Sequence, residues 1–164
     1  KEVSTAYYFE LNKVMAESGQ IEIVDVELFN DEEKIKSLIS AAHSHNVYVI
    51  ISNHDFDKTP AKDEIVSRLR RAQELGGDLT KIAVMPRNAA DVLTLLDATN
   101  TMNEQYADRP IITMSMAGKG VISRLAGEIF GSALTFGAAK KASAPGQVPV
   151  TELRSILSLI NSSL

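Results

Sequence analysis

Short apolar runs alternate along this chain with longer segments of helical period, and that alternation admits few folds. A strand, a helix and a second strand in sequence pair in parallel through a right-handed crossover. The sequence predicts strands over Ile21–Leu28, Val47–Ser52, Lys81–Met85, Ile111–Met116 and a short one over Ala133–Gly137. Between them it predicts helices over Asp31–His45, from Thr59-Pro60 to Leu75, over Asn88–Met102 and over Ser123–Phe130. A first helix, Thr5–Ser18, precedes them, and a last one runs from Val150 to about Ile160. Asp31 is a candidate N-cap with acidic residues in the first turn behind it. Thr59 is another, with Pro60 at the first helical position. Gly19 and Gly76-Gly77 supply stops. The expectation is one α/β domain over residues 1–164. Its parallel sheet is either open and doubly wound or part of a barrel. A full (β/α)8 barrel takes about 250 residues, and this chain has 164. The first strand is not followed by a G-x-G-x-x-G turn, so a dinucleotide-binding open sheet has no support.

Composition removes several function classes. The net charge of −4 and a pI near 5.4 argue against a nucleic-acid partner. No apolar run approaches the ~20 residues of a membrane span. The sequence contains no cysteine, which excludes disulfides, thiolate metal sites and thiol nucleophiles and fits a reducing, cytoplasmic setting. No cluster of residues has the spacing of a metal site. His43 and His45 stand two apart at a helix end and do not share a helical face, so both read as surface residues.

The strand faces carry more. Side chains alternate across a strand, so Asp25 and Glu27 share a face of the first strand. A plain reading makes that face solvated. Crossover helices cover parallel strands on both sides, however, and two carboxylates there need partners such as a polar barrel interior provides. On the second strand Tyr48, Ile50, Ser52 and His54 share a face. His54 falls just past the strand's C-terminal end, where sites of parallel α/β proteins lie, and it is a ready proton carrier. Lys81 opens the run Lys81-Ile82-Ala83-Val84-Met85-Pro86. As a strand's first residue it reads plainly as a solvated end. As a desolvated lysine, it is a candidate amine nucleophile for a carbonyl carbon. Ala83, on its face, leaves room for a ligand. Met114 and Met116 read as core filler or as an apolar wall. Arg124, expected near a helix N-terminus after Gly118-Lys119-Gly120, is placed to clamp a carboxylate. The loop Lys140–Gln147 is small and polar, as a lid or a plain connection would be.

Ser52-Asn53-His54-Asp55-Phe56, Lys81–Pro86, Ile122-Ser123-Arg124-Leu125-Ala126-Gly127 and Ala142-Ser143-Ala144-Pro145-Gly146-Gln147 follow one another in this order. The ordered set, and with it essentially the whole chain, resembles the type I 3-dehydroquinate dehydratases. The resemblance implies a (β/α)8 barrel of which this chain covers about strands 4–8 and helices 3–8. It implies dehydration of 3-dehydroquinate to 3-dehydroshikimate through an imine, with no metal or organic cofactor, in a homodimer. Lys81 corresponds to the imine-forming lysine and His54 to the proton donor and acceptor. Arg124 corresponds to the carboxylate-binding arginine and Ser143 and Gln147 to lid residues. Met114 and Met116 correspond to the apolar wall, and Asp25 and Glu27 to an acidic pair in the barrel interior. The resemblance also implies that the first three strands lie outside this sequence. With them go further substrate-holding residues and the acidic group that orients the histidine. Two other readings stand beside this enzyme: an incomplete barrel acting only as a structural or association module, and another Schiff-base lyase of aldolase type.

Overall fold

A computed structural model describes residues 3–164. The described residues form α1 (Thr5–Glu17), β1 (Ile23–Glu27), α2 (Glu32–Ser44), β2 (Tyr48–Asp55), α3 (Lys62–Glu74), β3 (Leu79–Val84), α4 (Ala89–Gln105), β4 (Ile111–Ser115), α5 (Val121–Leu125) and α6 (Val150–Asn161). Single 3₁₀ turns flank α5 at Gly118–Gly120 and Gly127–Phe130. The four strands make one sheet in the order β1-β2-β3-β4, every pair parallel.

Register decides which architecture this is. Val26 lies beside Ile51, Ile51 beside Thr80 and Asn53 beside Ile82, so these residues share one face. On that face Val24, Val26, Val49 and Ile51 pack against Ile35, Leu38, Ile39 and Ala42 of α2. Ile82 and Val84 pack there against Ile65 and Leu69 of α3 and Leu95, Ala98 and Met102 of α4. A doubly wound sheet reverses its strand order and carries helices on both faces. Here strand order follows the sequence and α2, α3 and α4 lie on one side, which is the winding of a (β/α)8 barrel. The opposite face is a barrel interior, holding Ile50, Ala83, Ile112, Met114 and Met116 with Leu134 and Phe136 packed on them.

Local chemistry explains most element ends. Ile35, Leu38, Ile39 and Ala42 form one buried stripe, the spacing of a helix that rests on a sheet. The Asp31 carboxylate accepts the Lys34 amide at 3.0 Å, as expected of the N-cap. Asn88 caps α4 in the same way, accepting from Asp91 N at 3.0 Å. Buried Thr99 and Thr113 share a hydrogen bond at 2.7 Å that ties α4 to β4. The turn after β4 needs glycine at position 120, where a Cβ would stand 2.2 Å from the Ser115 carbonyl oxygen.

Four expectations are corrected. The segment Ala133–Gly137 is not a strand. Ala133 N reaches Ile111 O at 2.8 Å, but the next ladder donor, Thr113 N, is taken by the Ser132 hydroxyl at 3.0 Å. A side chain thereby replaces the strand partner, and only isolated bridges remain. The helix expected over Ser123–Phe130 ends at Leu125, and a 3₁₀ turn follows from Gly127. The helix expected from Thr59-Pro60 begins at Lys62 with no side-chain cap. Its intended cap, Thr59 Oγ1, donates instead to Met85 O at 3.1 Å. Finally, β2 runs to Asp55 and β3 starts at Leu79, so His54 lies within the C-terminal end of its strand and not beyond it, and Lys81 lies in mid-strand and not at its start.

Tyr8 fixes α1 to β1. Its hydroxyl accepts from Glu27 N at 3.2 Å and lies 3.4 Å from Asp25 O. Burial is the main reason its phenol is pushed above the ordinary value of 10.0. The unfolded chain therefore ionises first. The associated stability is whole below about pH 10 and is lost as pH climbs through the folded value. Urea unfolding across this alkaline range should show that loss, and Tyr8→Phe should flatten it. An unchanged slope in the variant would contradict this role.

Candidate active site

The polar residues of the inner face occupy three successive levels of the sheet, the first of which holds Asp25 beside Ile50. Glu27, Ser52, Lys81 and Ile112 are register partners, one strand to the next. His54, Ala83 and Met114 form the following level, towards the C-terminal ends. Lys81, in mid-strand with its side chain only 12% exposed, donates to Asp25 Oδ2 at 2.8 Å. The other Asp25 oxygen accepts the buried Ser52 hydroxyl at 2.5 Å. The Lys81 ammonium also lies 5.3 Å from the Phe136 ring centroid, within cation–π range. The reading of Lys81 as merely desolvated thus omitted half of its surroundings: a carboxylate and an aromatic face hold the group in place.

His54 is paired as well. Its Nδ1 meets Glu27 Oε1, leaving Nε2 for the cavity, and its ring stacks on Phe56 with centroids 5.8 Å apart. The resemblance places the acid that orients this histidine outside the chain. The structure shows a carboxylate partner within it, on the neighbouring strand.

A cavity of about 370 Å³ opens over these groups. Its walls include His54, Lys81, Ala83, Met114, Met116, Arg124, Phe136, Ser143 and Gln147. Asp25 and Glu27 stand behind Lys81 and His54, so the structure brings together every site residue singled out from the sequence. Arg124 is placed differently from the expectation. It sits in the last turn of α5, not at a helix N-terminus, and is 1% exposed. Its guanidinium meets Met114 Sδ at 3.5 Å and Pro145 O at 3.3 Å, and Nε has no partner among the described residues. Burial pushes its pKa down. A cation with so few acceptors beside a cavity has the charge and the free donors to take up a carboxylate.

The loop over the cavity is stitched to this wall. Ala117, at φ 55°, donates its amide to Pro145 O at 3.1 Å. Gly146, at φ 79°, passes so close that a Cβ would stand 2.3 Å from Ala117 O. Gln147 Oε1 accepts from Ser143 N at 2.8 Å, closing the loop on itself. Sequence reasoning missed Ser52, Phe56 and Phe136 as site residues. Face parity grouped Ser52 with His54, but nothing local shows that Asp25 lies across from it. Phe136 was assigned to a strand that does not form.

Other features fall outside the site. A larger groove of about 540 Å³ lies outside, between α1 and α2, with the charged side chains of Glu10, Lys13, Glu33 and Lys34 along it. Among the described residues no group of three His, Cys, Asp or Glu could hold a metal ion, and no helix is long and apolar enough to cross a membrane.

The family model of type I 3-dehydroquinase matches residues 1–163. The chain belongs to the type I 3-dehydroquinase family. The 3-dehydroquinate dehydratase of Bacillus licheniformis is 68% identical over 164 residues, covering all of this chain and 65% of that protein. The 3-dehydroquinate dehydratase of Listeria welshimeri is 69% identical over 159 residues, covering 97% of this chain and 63% of that one. A crystal structure of type I 3-dehydroquinate dehydratase from Clostridium difficile with covalently modified comenic acid aligns over all of this chain and 65% of its own. Its TM-score is 0.96 at 62% identity. The chain therefore spans about 65% of the length of such type I 3-dehydroquinases.

The underpaired guanidinium gives a prediction. Replacing a whole buried ion pair by apolar groups of similar volume is often neutral or stabilising, by up to about 4 kcal/mol, and the Arg124 guanidinium has no carboxylate partner to strand. Arg124→Met should melt no lower than the wild type without ligand. Cyclohexanecarboxylate should raise the melting temperature of the wild type alone. A large fall for ligand-free Arg124→Met would show that the guanidinium serves packing instead.

Proposed function

We propose that the protein to which this chain belongs dehydrates 3-dehydroquinate to 3-dehydroshikimate through an imine on Lys81. The observation that carries this reading is the pairing of Lys81 with Asp25 and of His54 with Glu27 under one cavity. Membership in the type I 3-dehydroquinase family supports it. The proposal concerns the whole protein, since the chain spans about 65% of its relatives' length. A homodimer, which the family resemblance implies, and a cytoplasmic setting, which the absence of cysteine fits, belong to the same proposal.

The steps follow from the groups present. Lys81, having given up a proton, adds through Nζ to the ketone carbon, and the carbonyl oxygen leaves as water. The iminium left behind draws electrons from the neighbouring carbon and acidifies its C–H. His54 removes that proton, and the released pair forms an enamine. The pair then returns to expel the β-hydroxyl, which takes a proton from His54 and departs as water. Hydrolysis of the imine restores Lys81, and the net change is loss of one water. Asp25 holds the lysine where it can attack, and Glu27 stabilises the positive charge His54 carries between the two transfers. Arg124 binds the substrate carboxylate. Met114, Met116 and Phe136 exclude water from the imine, and Ser143 and Gln147 cover the substrate.

Two measurements test the proposal. Borohydride added with 3-dehydroquinate should fix one adduct, on the peptide containing Lys81. An adduct elsewhere, or none from a protein that turns over, would sink the mechanism. His54→Ala should lower kcat by about 10²–10⁴-fold, the usual share of a general acid–base group, while borohydride still traps Lys81. Unchanged turnover in that variant would remove His54 from the chemistry.

A further inference from the structure

We propose that Arg68, in the outer helix layer, is a positioning residue that holds the Glu27 and His54 strand ends in register from behind the sheet. The proposal rests on the reading of His54 as proton carrier. It concerns the half of Ser52-Asn53-His54-Asp55 that faces away from the cavity. Asn53 and Asp55 point to the helix side, where their neighbours Ile51, Ile82 and Val84 are apolar. Arg68 of α3 takes both: its guanidinium donates to Asn53 Oδ1 at 2.9 Å and lies 3.6 Å from Asp55 Oδ2. The same guanidinium stands 5.3 Å from the ring of Phe29, in the loop directly after β1. One side chain thus touches the residues on either side of His54 and the loop two residues past Glu27.

The clamp extends further. Asp55 Oδ1 accepts the amides of Asp57 and Lys58 at 3.2 and 3.0 Å, fixing the turn after β2. Lys58 O accepts the amide of Met85, just past β3, at 3.2 Å. The C-terminal ends of β1, β2 and β3 therefore meet around Arg68 and its partners.

Packing alone does not call for an arginine here. Position 68 lies one turn from Ile65 and Ala72, at the edge of the stripe that α3 buries. An apolar residue there would serve burial at least as well, since a buried polar network is weak evidence for stability. What the guanidinium offers is direction: its planar fork fixes the orientation of two side chains at once. Because residues alternate across a strand, holding Asn53 and Asp55 on one face fixes where His54 points on the other. The contact with Glu64, at 2.8 Å on the solvent side, lies outside this set.

NMR of the intact protein separates positioning from plain support. The Nδ1 proton of wild-type His54, hydrogen-bonded to Glu27 and so protected from exchange, should give a resolved downfield resonance. In Arg68→Met that resonance should broaden or vanish, and kcat should fall by about 10- to 100-fold, the scale of a small misplacement. KM should stay unchanged, as should the resonances of Met114 and Met116. Glu64→Gln should alter none of these. An unmoved His54 resonance in folded Arg68→Met would overturn the proposal whatever happens to turnover. Should Arg68→Met fail to fold, Arg68→Lys carries the same readout. It keeps the charge but not the fork, so a weaker His54 signal is expected and an unchanged one overturns the proposal. A displaced His54 in a protein whose wild type shows no turnover of 3-dehydroquinate would instead count against the assigned activity.

Discussion

Parallel register is the constraint on which the rest of this structure depends. Residues level with one another on adjacent strands face the same way, and a slip of one residue turns every side chain to the other side. In the register observed, Glu27, Ser52 and Lys81 stand abreast, with His54 one level on. Lys81 and Asp25 are two strands apart, roughly 10 Å at the usual spacing. Only a long stem can cross that gap, and it does so past Ser52, whose hydroxyl holds the other oxygen of the same carboxylate. Glu27 needs only one strand spacing to reach His54. A slip of β2 by one residue would carry Ser52 and His54 into the helix layer, leaving Glu27 without its histidine and Asp25 without the serine hydroxyl.

The two faces answer to different demands. The helix side is apolar, and its buried Ile, Leu, Val, Ala and Met are the fold's main source of stabilisation. The inner side places two carboxylates, a lysine, a histidine and an arginine around one cavity. Ion pairs whose carboxylates are part-exposed, as Asp25 and Glu27 are, add little to stability, so this row is better explained by chemistry than by stability. Arg124, nearly unexposed and short of acceptors, is the clearest case. Arg68 is the exception on the helix side, a guanidinium that meets Asn53 and Asp55 and so can direct the residues flanking His54.

Much of this was legible in the sequence. Alternation predicted parallel strands, and side-chain parity put Asp25 with Glu27 and Ser52 with His54. What escaped was tertiary. The fifth strand failed because a hydroxyl, Ser132 Oγ, intercepts the Thr113 amide. Helix α3 starts late because Thr59 bonds Met85, 26 residues away, instead of its own helix. Parity shows which carboxylates face inwards, but only register shows that Asp25 meets Lys81 and Glu27 meets His54. Arg124 read as a residue at a helix start because the broken helix around Ala126 and Gly127 gave no warning of its burial.

The central claim is that the inner polar row exists for chemistry while the outer face holds the fold. The most direct measurement is the unfolding free energy of the double variant Asp25→Leu, Lys81→Met, taken with its turnover. Both charges leave together, and neither is stranded. The account predicts stability within about 1 kcal/mol of the wild type, the scale of a part-exposed pair, with turnover abolished. A loss of several kcal/mol in the double variant, or retained turnover, would contradict it.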